Sequence, residues 1–248
     1  MPGWDEILSG MVHGLQLILS GDPGVIQITL LSLRVSGGAT LLGALVGISL
    51  GALLSLADFR GRTFVVALVN TMTGLPPVVV GLVLYLLLSS SGPLGFLKLL
   101  YTPEAMVVAQ LIMVIPIVAS ITLSAISSVD QETKQAVRSL GASPFRELLI
   151  ILNEARVGLL TSVVVGFGSA ISEVGAIMMV GGNLLGHTRA LTTAVVLLTN
   201  QGEFAQAIAL GMVLLALGFS VNVLLMFLRG ELFSGTLPYL TARRSGPK

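Results

Sequence analysis

From residue 26 to residue 57 the chain carries one charged side chain, Arg34. The run is well beyond the roughly 20 apolar residues that cross a bilayer as a helix. Backbone polar groups in hydrocarbon find no water, so such a run is held to helix and its surplus goes into tilt or projection. Four more runs share the pattern, at about 64–88, 104–126, 158–180 and 204–228. The fold class expected is all-α: a polytopic membrane protein of five transmembrane helices. Composition agrees, with 54% hydrophobic and 10% charged residues, where soluble domains carry about 25% charged. A length of 248 residues holds one membrane domain and leaves no room for an ATPase domain beside it. Without Cys there is no disulfide, thiolate metal site or Cys nucleophile, and His13 and His187 are too far apart in sequence for a His-rich metal site.

Residues 1–21 read as a separate element. Trp4, Ile7, Leu8, Met11, Val12, Leu15, Ile18 and Leu19 share one helical stripe, with Asp5, Glu6, Ser9, His13 and Gln16 opposite. That pattern predicts an amphipathic helix lying in the membrane interface. Asp5 and Glu6 stand where a secretory signal would have basic residues. Ser20-Gly21-Asp22-Pro23-Gly24 breaks the helix, and a membrane domain is expected over 22–230 with a polar cytoplasmic tail at 231–248. Gly43, Gly47 and Gly51 make a small-residue ridge that lets another helix approach closely. The stretch 192–198 is too short to cross and reads as re-entrant or interfacial. No internal repeat appears, so the repeat signature of many secondary carriers is missing.

The longest charged interval, Ser128 to Arg156, lies between two of these runs. Ser128 and Gln131 have capping-box spacing, with Asp130 a competing cap. Thr133, Ala136, Val137 and Leu140 share one face of a short helix, and Lys134 and Arg138 another. Gly141 suits a left-handed helix end, and Ser143-Pro144 starts a second helix. A bent amphipathic element of this kind is shaped to dock in a groove of a soluble partner.

Gln135-Ala136-Val137-Arg138-Ser139-Leu140-Gly141-Ala142-Ser143-Pro144 resembles the cytoplasmic "EAA" coupling loop of ABC importer membrane subunits. Gln135 replaces that family's Glu and Val137 its second Ala, while the Gly and its spacing hold. The resemblance implies that Gln135, Ala136, Arg138, Gly141, Ala142, Ser143, Pro144 and Phe145 couple the chain to an ATPase. Leu75-Pro76-Pro77-Val78-Val79-Val80-Gly81 and Glu173 through Asn183, EVGAIMMVGGN, are similar to segments of molybdate- and tungstate-type permeases, most like the tungstate branch. A translocation path past Thr71, Thr73, Gly74, Pro76, Pro77, Glu173 and Gly175 is then expected. Two prolines remove backbone donors in mid-span, so a kink there either packs a helix or lines a pore.

Arg34 and Glu173, counted in from the outer ends of their spans, fall at similar depth. Either they pair, or Arg34 snorkels outward and Glu173 stays neutral. Gly181 to Thr188, GGNLLGHT, nearly spells a phosphate loop, but His187 stands where Lys is required.

With the charged interval inside, ten of the thirteen basic residues fall on the cytoplasmic side. The expectation is an amino terminus outside and a carboxyl terminus inside a prokaryotic plasma membrane. The family resemblance implies a homodimer, two ABC ATPase subunits that bind the ATP and Mg, and an extracytoplasmic oxyanion-binding protein, in a lipid bilayer. No cofactor, metal site, catalytic residue or nucleic-acid partner is expected of this chain itself. The implied function is import of tungstate or molybdate; the alternative is an ion-coupled secondary transporter with Arg34 and Glu173 as its relay.

Overall fold

The computed structural model describes residues 4–228, so the expected tail at 231–248 lies outside the described residues. All regular structure among them is helical. The helices are α1 (Trp4–Ser20), α2 (Pro23–Leu56), α3 (Arg62–Met72), α4 (Pro77–Leu88), α5 (Pro103–Ser127), α6 (Gln131–Ser139), α7 (Pro144–Glu154), α8 (Arg156–Ser172), α9 (Gly175–Gly181), α10 (Leu191–Gln201) and α11 (Phe204–Leu228). Three of them, α2, α5 and α11, are long and apolar enough to cross a membrane. The number rises to five if α3 with α4, bent by 98°, and α7 with α8, bent by 69°, each count as one span.

Local chemistry explains most boundaries. The Asp22 carboxylate accepts from the Val25 amide at 2.9 Å and Pro23 opens α2. Thr102 caps α5 by accepting from Ala105 N, and Pro103 opens that helix. Pro116 costs α5 one helical hydrogen bond without ending it. Ser128 does not cap the next helix: it is the last residue of α5's C-terminal turn, its hydroxyl donating to Ala125 O. Asp130 instead precedes α6, its carbonyl accepting from Lys134 N.

α5 is the central staff, with Val114, Val118, Ala119, Thr122 and Ile126 buried along it. The glycine ridge of α2 lies against it. A Cβ on Gly43 would fall 2.6 Å from Cγ1 of Val114, on Gly47 2.8 Å from Val118 Cβ, and on Gly51 2.5 Å from the Ala119 carbonyl. Only hydrogen fits at these approaches. Partner numbers rise together, from Arg34–Glu104 to Ser55–Ser127, so α2 and α5 run parallel. The chain must therefore return between them, and α3–α4 is that return. Arg62 donates to Leu54 O at the end of α2, Asn70 accepts from Ser120, and Leu84 and Leu88 of α4 pack beside Ala105 and Met106. α8 also runs against α5, from Gly158 at Ala125, through Ser162 at Thr122, to Ala170 at Gln110.

Large apolar side chains such as Leu41, Leu45, Phe64, Leu82, Leu86, Leu215 and Phe219 point outward. That reverses the pattern of a soluble protein and suits a lipid solvent. α1 lies along the first half of α11, its Gly10 against Ile208 and its Gly14 against the Ala209 backbone. The apolar stripe of α1, from Trp4 to Leu19, is exposed.

Candidate functional site

Two helix breaks meet beside α5. The first is the turn Thr73–Pro76 between α3 and α4. Pro76 and Pro77 have no amide hydrogen, and residues before proline avoid helical backbone, so the expected kink becomes a full break. The second, at Glu173-Val174, divides the expected 158–180 span into α8 and α9 with no proline present. The breaks pack on each other: a Cβ on Gly175 would lie 2.8 Å from Val78 Cγ2, and one on Gly81 2.7 Å from Ala176 Cα. Thr71, Thr73, Gly74 and Pro76 are exposed on the first break, while Pro77 is partly buried. The threonine hydroxyls donate to Ala67 O and Asn70 O of their own helix.

Glu173 is buried and does not pair with Arg34. Its carboxylate accepts from the amides of Ala176 at 2.7 Å and Ile177 at 3.1 Å, and its carbonyl accepts from the Thr192 hydroxyl at 2.9 Å. Glu173 thus ties α8, α9 and α10 together. Arg34 is level with the first turn of α5, where its guanidinium stands 4.0 Å from Glu104 with 76% of its side chain exposed. The expected pair fails because α2 projects beyond the start of α5, and because the buried acid is already satisfied by backbone amides. Gly175 enters by close packing on Val78.

Sequence reading missed the polar groups that α5 contributes. Asn70 accepts from Ser120 at 2.8 Å, and buried Gln110 donates to Ala170 O at 2.7 Å, just ahead of the second break. Gln110 Oε1 has no partner. An amide inside an apolar run was the available signal. The 181–188 stretch closes on itself, with Thr188 donating to Gly181 O and accepting from Leu184 N, so it is no phosphate cradle.

At the other end of α5 lies the bent element α6–α7. Gly141 has φ +73°, and a Cβ there would meet nothing within 4 Å. Its need for glycine is therefore conformational and not steric. The Ser143 hydroxyl accepts from Arg146 N, and Pro144 opens α7. Lys134 Nζ donates to Ile126 O at 3.0 Å, fastening α6 to the last turn of α5. Ile151 is fully buried among Ala52, Ile126 and Ala155. The element is thus joined to the ends of both α2 and α5. Gln135 and Ala136 are exposed and Ala142 is partly buried. Leu140 and Phe145 are 88% and 68% exposed, apolar side chains offered outward on either side of the Gly141 bend. The Arg138 side chain lies outside the described residues.

Parallel long helices, two broken returns and a charged bent element at one end define a multi-pass membrane domain. Residues 43–230 match the family of the binding-protein-dependent transport system inner membrane component, and the chain belongs to that family. It is 40% identical to the tungstate uptake system permease protein TupB of Peptoclostridium acidaminophilum, over 92% of this chain and 100% of that one. It is 32% identical to the molybdenum transport system permease protein ModB of Escherichia coli K12, over 68% of this chain and 77% of that one. Among solved structures, a bacterial alginate ABC transporter bound to its pentasaccharide-loaded periplasmic protein aligns with a TM-score of 0.71 at 20% identity, covering 89% of this chain and 83% of that one. An inward-facing MetNI methionine ABC transporter aligns at 0.69 and 17% identity, covering 86% and 96%. These two carry the fold alone. The protein is a multi-pass inner-membrane permease subunit.

Proposed function

We propose that this chain is the membrane-spanning subunit of an ABC importer that brings tungstate, or molybdate as a like oxyanion, into the cytoplasm. The observation that carries the reading is identity of 40% along the whole length of a tungstate uptake permease. Two copies would enclose the path, two ATPase subunits would bind the ATP and Mg, and an extracytoplasmic protein would deliver the anion. The chain itself hydrolyses nothing. Its amino terminus lies outside and its tail inside, in keeping with the bias of basic residues toward the α6–α7 side.

ATPase closure pushes on α6–α7, where Leu140 and Phe145 offer the docking surface. Ile151 and the Lys134–Ile126 bond pass the displacement to α2 and α5 together. Because α2 is fitted to α5 glycine by atom, the two move as one body against the broken helices. The path beside the breaks carries only neutral groups, the amide of Asn70 and the hydroxyls of Thr71, Thr73 and Ser120, whose hydrogens rest on Ala67 O, Asn70 O and Asn70 Oδ1 and must rotate away to meet an anion. Neutral donors hold a dianion weakly enough to let it go, which a conduit needs. Glu173, whose carboxyl is taken up by the first amides of α9, is turned away from that path.

The test is tungstate accumulation in cells that lack this subunit and receive it back with its ATPase and binding protein. Restored accumulation, reduced by excess molybdate, is expected. Accumulation that does not depend on the subunit would contradict the assignment.

A further inference from the structure

The end of the molecule away from α6–α7 holds a cavity of about 340 Å³ between the first turn of α5, the upper part of α2 and the 186–189 turn. Arg34, Arg189 and His187 line it, with Glu104 as its acidic group. Arg189 also lines the adjoining cavity of about 290 Å³, together with His13 and Asp22. Its guanidinium is poorly satisfied. One NH2 group donates to Asn183 O at 3.4 Å, and the buried Nε–H has no partner at all. Such an orphaned charged donor is costly unless something else occupies it.

The acids nearby do not relieve Arg189. Asp22 is engaged by the Val25 amide, and Glu104 faces Arg34 at 4.0 Å across a solvent-exposed gap, a weak pairing. Two guanidinium groups therefore line one hollow, and that of Arg189 has donor capacity to spare. Forks match the paired oxygens of a tetrahedral oxyanion in a way that a point charge does not.

We infer that this cavity is an oxyanion-binding site, in which Arg189 and Arg34 hold a free tetrahedral dianion as it enters from the outer face. The inference rests on the importer reading for its side of the membrane. Its chemistry rests on the two arginines alone. Glu104 sets the strength: its charge opposes the anion and keeps the site weak, as an entry point ahead of a conduit must be.

The test is binding of sodium tungstate to the full chain in phosphocholine nanodiscs, without ATPase or binding protein, at fixed ionic strength. Saturable binding is expected. Arg34→Gln and Arg189→Gln should each weaken it by about tenfold or more, Arg189→Lys should restore part of the loss, and Glu104→Gln should tighten it. Arg34 is exposed, so its variant reports on the site even if Arg189→Gln fails to fold.

Binding that is absent, or unchanged in Arg34→Gln, overturns the inference. So does Glu104→Gln weakening the site, since that marks Glu104 as a structural support. Tungstate binding abolished by phosphatidylglycerol in the nanodisc would assign the arginines to a lipid phosphate and also overturn it. Failure here with intact ATP-driven tungstate uptake leaves the importer reading standing. Arginine-dependent sulfate binding without tungstate uptake would reject that reading and keep the site.

Discussion

Gly141 separates conformation from contact within the coupling element. At φ +73° an L-residue pays roughly 1–2 kcal/mol for the left-handed backbone. The surroundings add nothing, because no heavy atom lies within 4 Å of the position a Cβ would take. Gly141→Ala should therefore depopulate the bent α6–α7 geometry by about 5- to 30-fold relative to its alternatives. Gly141→Val should depopulate it further, since a β-branched residue fits that region worst. Gly141→Asn, whose side chain tolerates left-handed backbone, should come nearest to wild type.

The assay is ATP hydrolysis and tungstate uptake measured on the same proteoliposomes holding the permease, its ATPase and its binding protein. The ratio of uptake to hydrolysis should fall in the order Gly, Asn, Ala, Val, while the assembly still purifies whole. A Val variant with full coupling would refute the conformational argument. An Asn variant as damaged as Val would refute it too, because the cause would then be bulk.

Three further outcomes follow from the packing. Gly51→Leu drives a side chain into the Ala119 carbonyl, so α2 and α5 should separate and thermal stability should fall by an amount equivalent to about 1–3 kcal/mol or more; unchanged melting would mean the helices are not seated this way. Glu173→Gln should disturb the two amide bonds that its carboxyl accepts and lower stability, and its effect should add to that of Arg34→Met within about 0.5 kcal/mol; strong coupling in the double mutant would restore the ion pair that the structure lacks. The chain has no native Cys, so Ser9→Cys should react with an impermeant maleimide from outside intact cells and Glu132→Cys only after the inner face is opened; the reverse pattern would overturn the orientation.

The long helices were legible because continuous apolar runs leave the backbone one solution in lipid. The run read at 26–57 became Pro23–Leu56, and that read at 204–228 became Phe204–Leu228. Glycine spacing announced a close approach at 43, 47 and 51 but carried no sign of its partner, since helix pairing depends on residues far away in sequence. Gly141 and Ser143-Pro144 were readable because capping is local. Ser128 misled for the same reason: its spacing is right for a cap, but α5 runs on to Ser127 and claims the residue as its own end.

The breaks divide along similar lines. Pro76-Pro77 signalled the first, though not its 98° bend. The second has no proline, and depends on a carboxylate that finds two amides only once the chain has turned. Depth counting then placed Arg34 opposite Glu173, whereas helix projection puts it beside Glu104. The cavity at the end away from α6–α7 was not readable in the sequence, because Arg34 and Arg189 are brought together only by the fold.

The most direct test of the importer account is tungstate uptake into proteoliposomes in which ATP, proton gradient and binding protein are supplied separately. Permease and ATPase together should take up tungstate only with ATP and loaded binding protein present, and collapsing the proton gradient should change nothing. Uptake by the permease alone, driven by a proton gradient without ATP, would contradict the account and make this chain a secondary carrier.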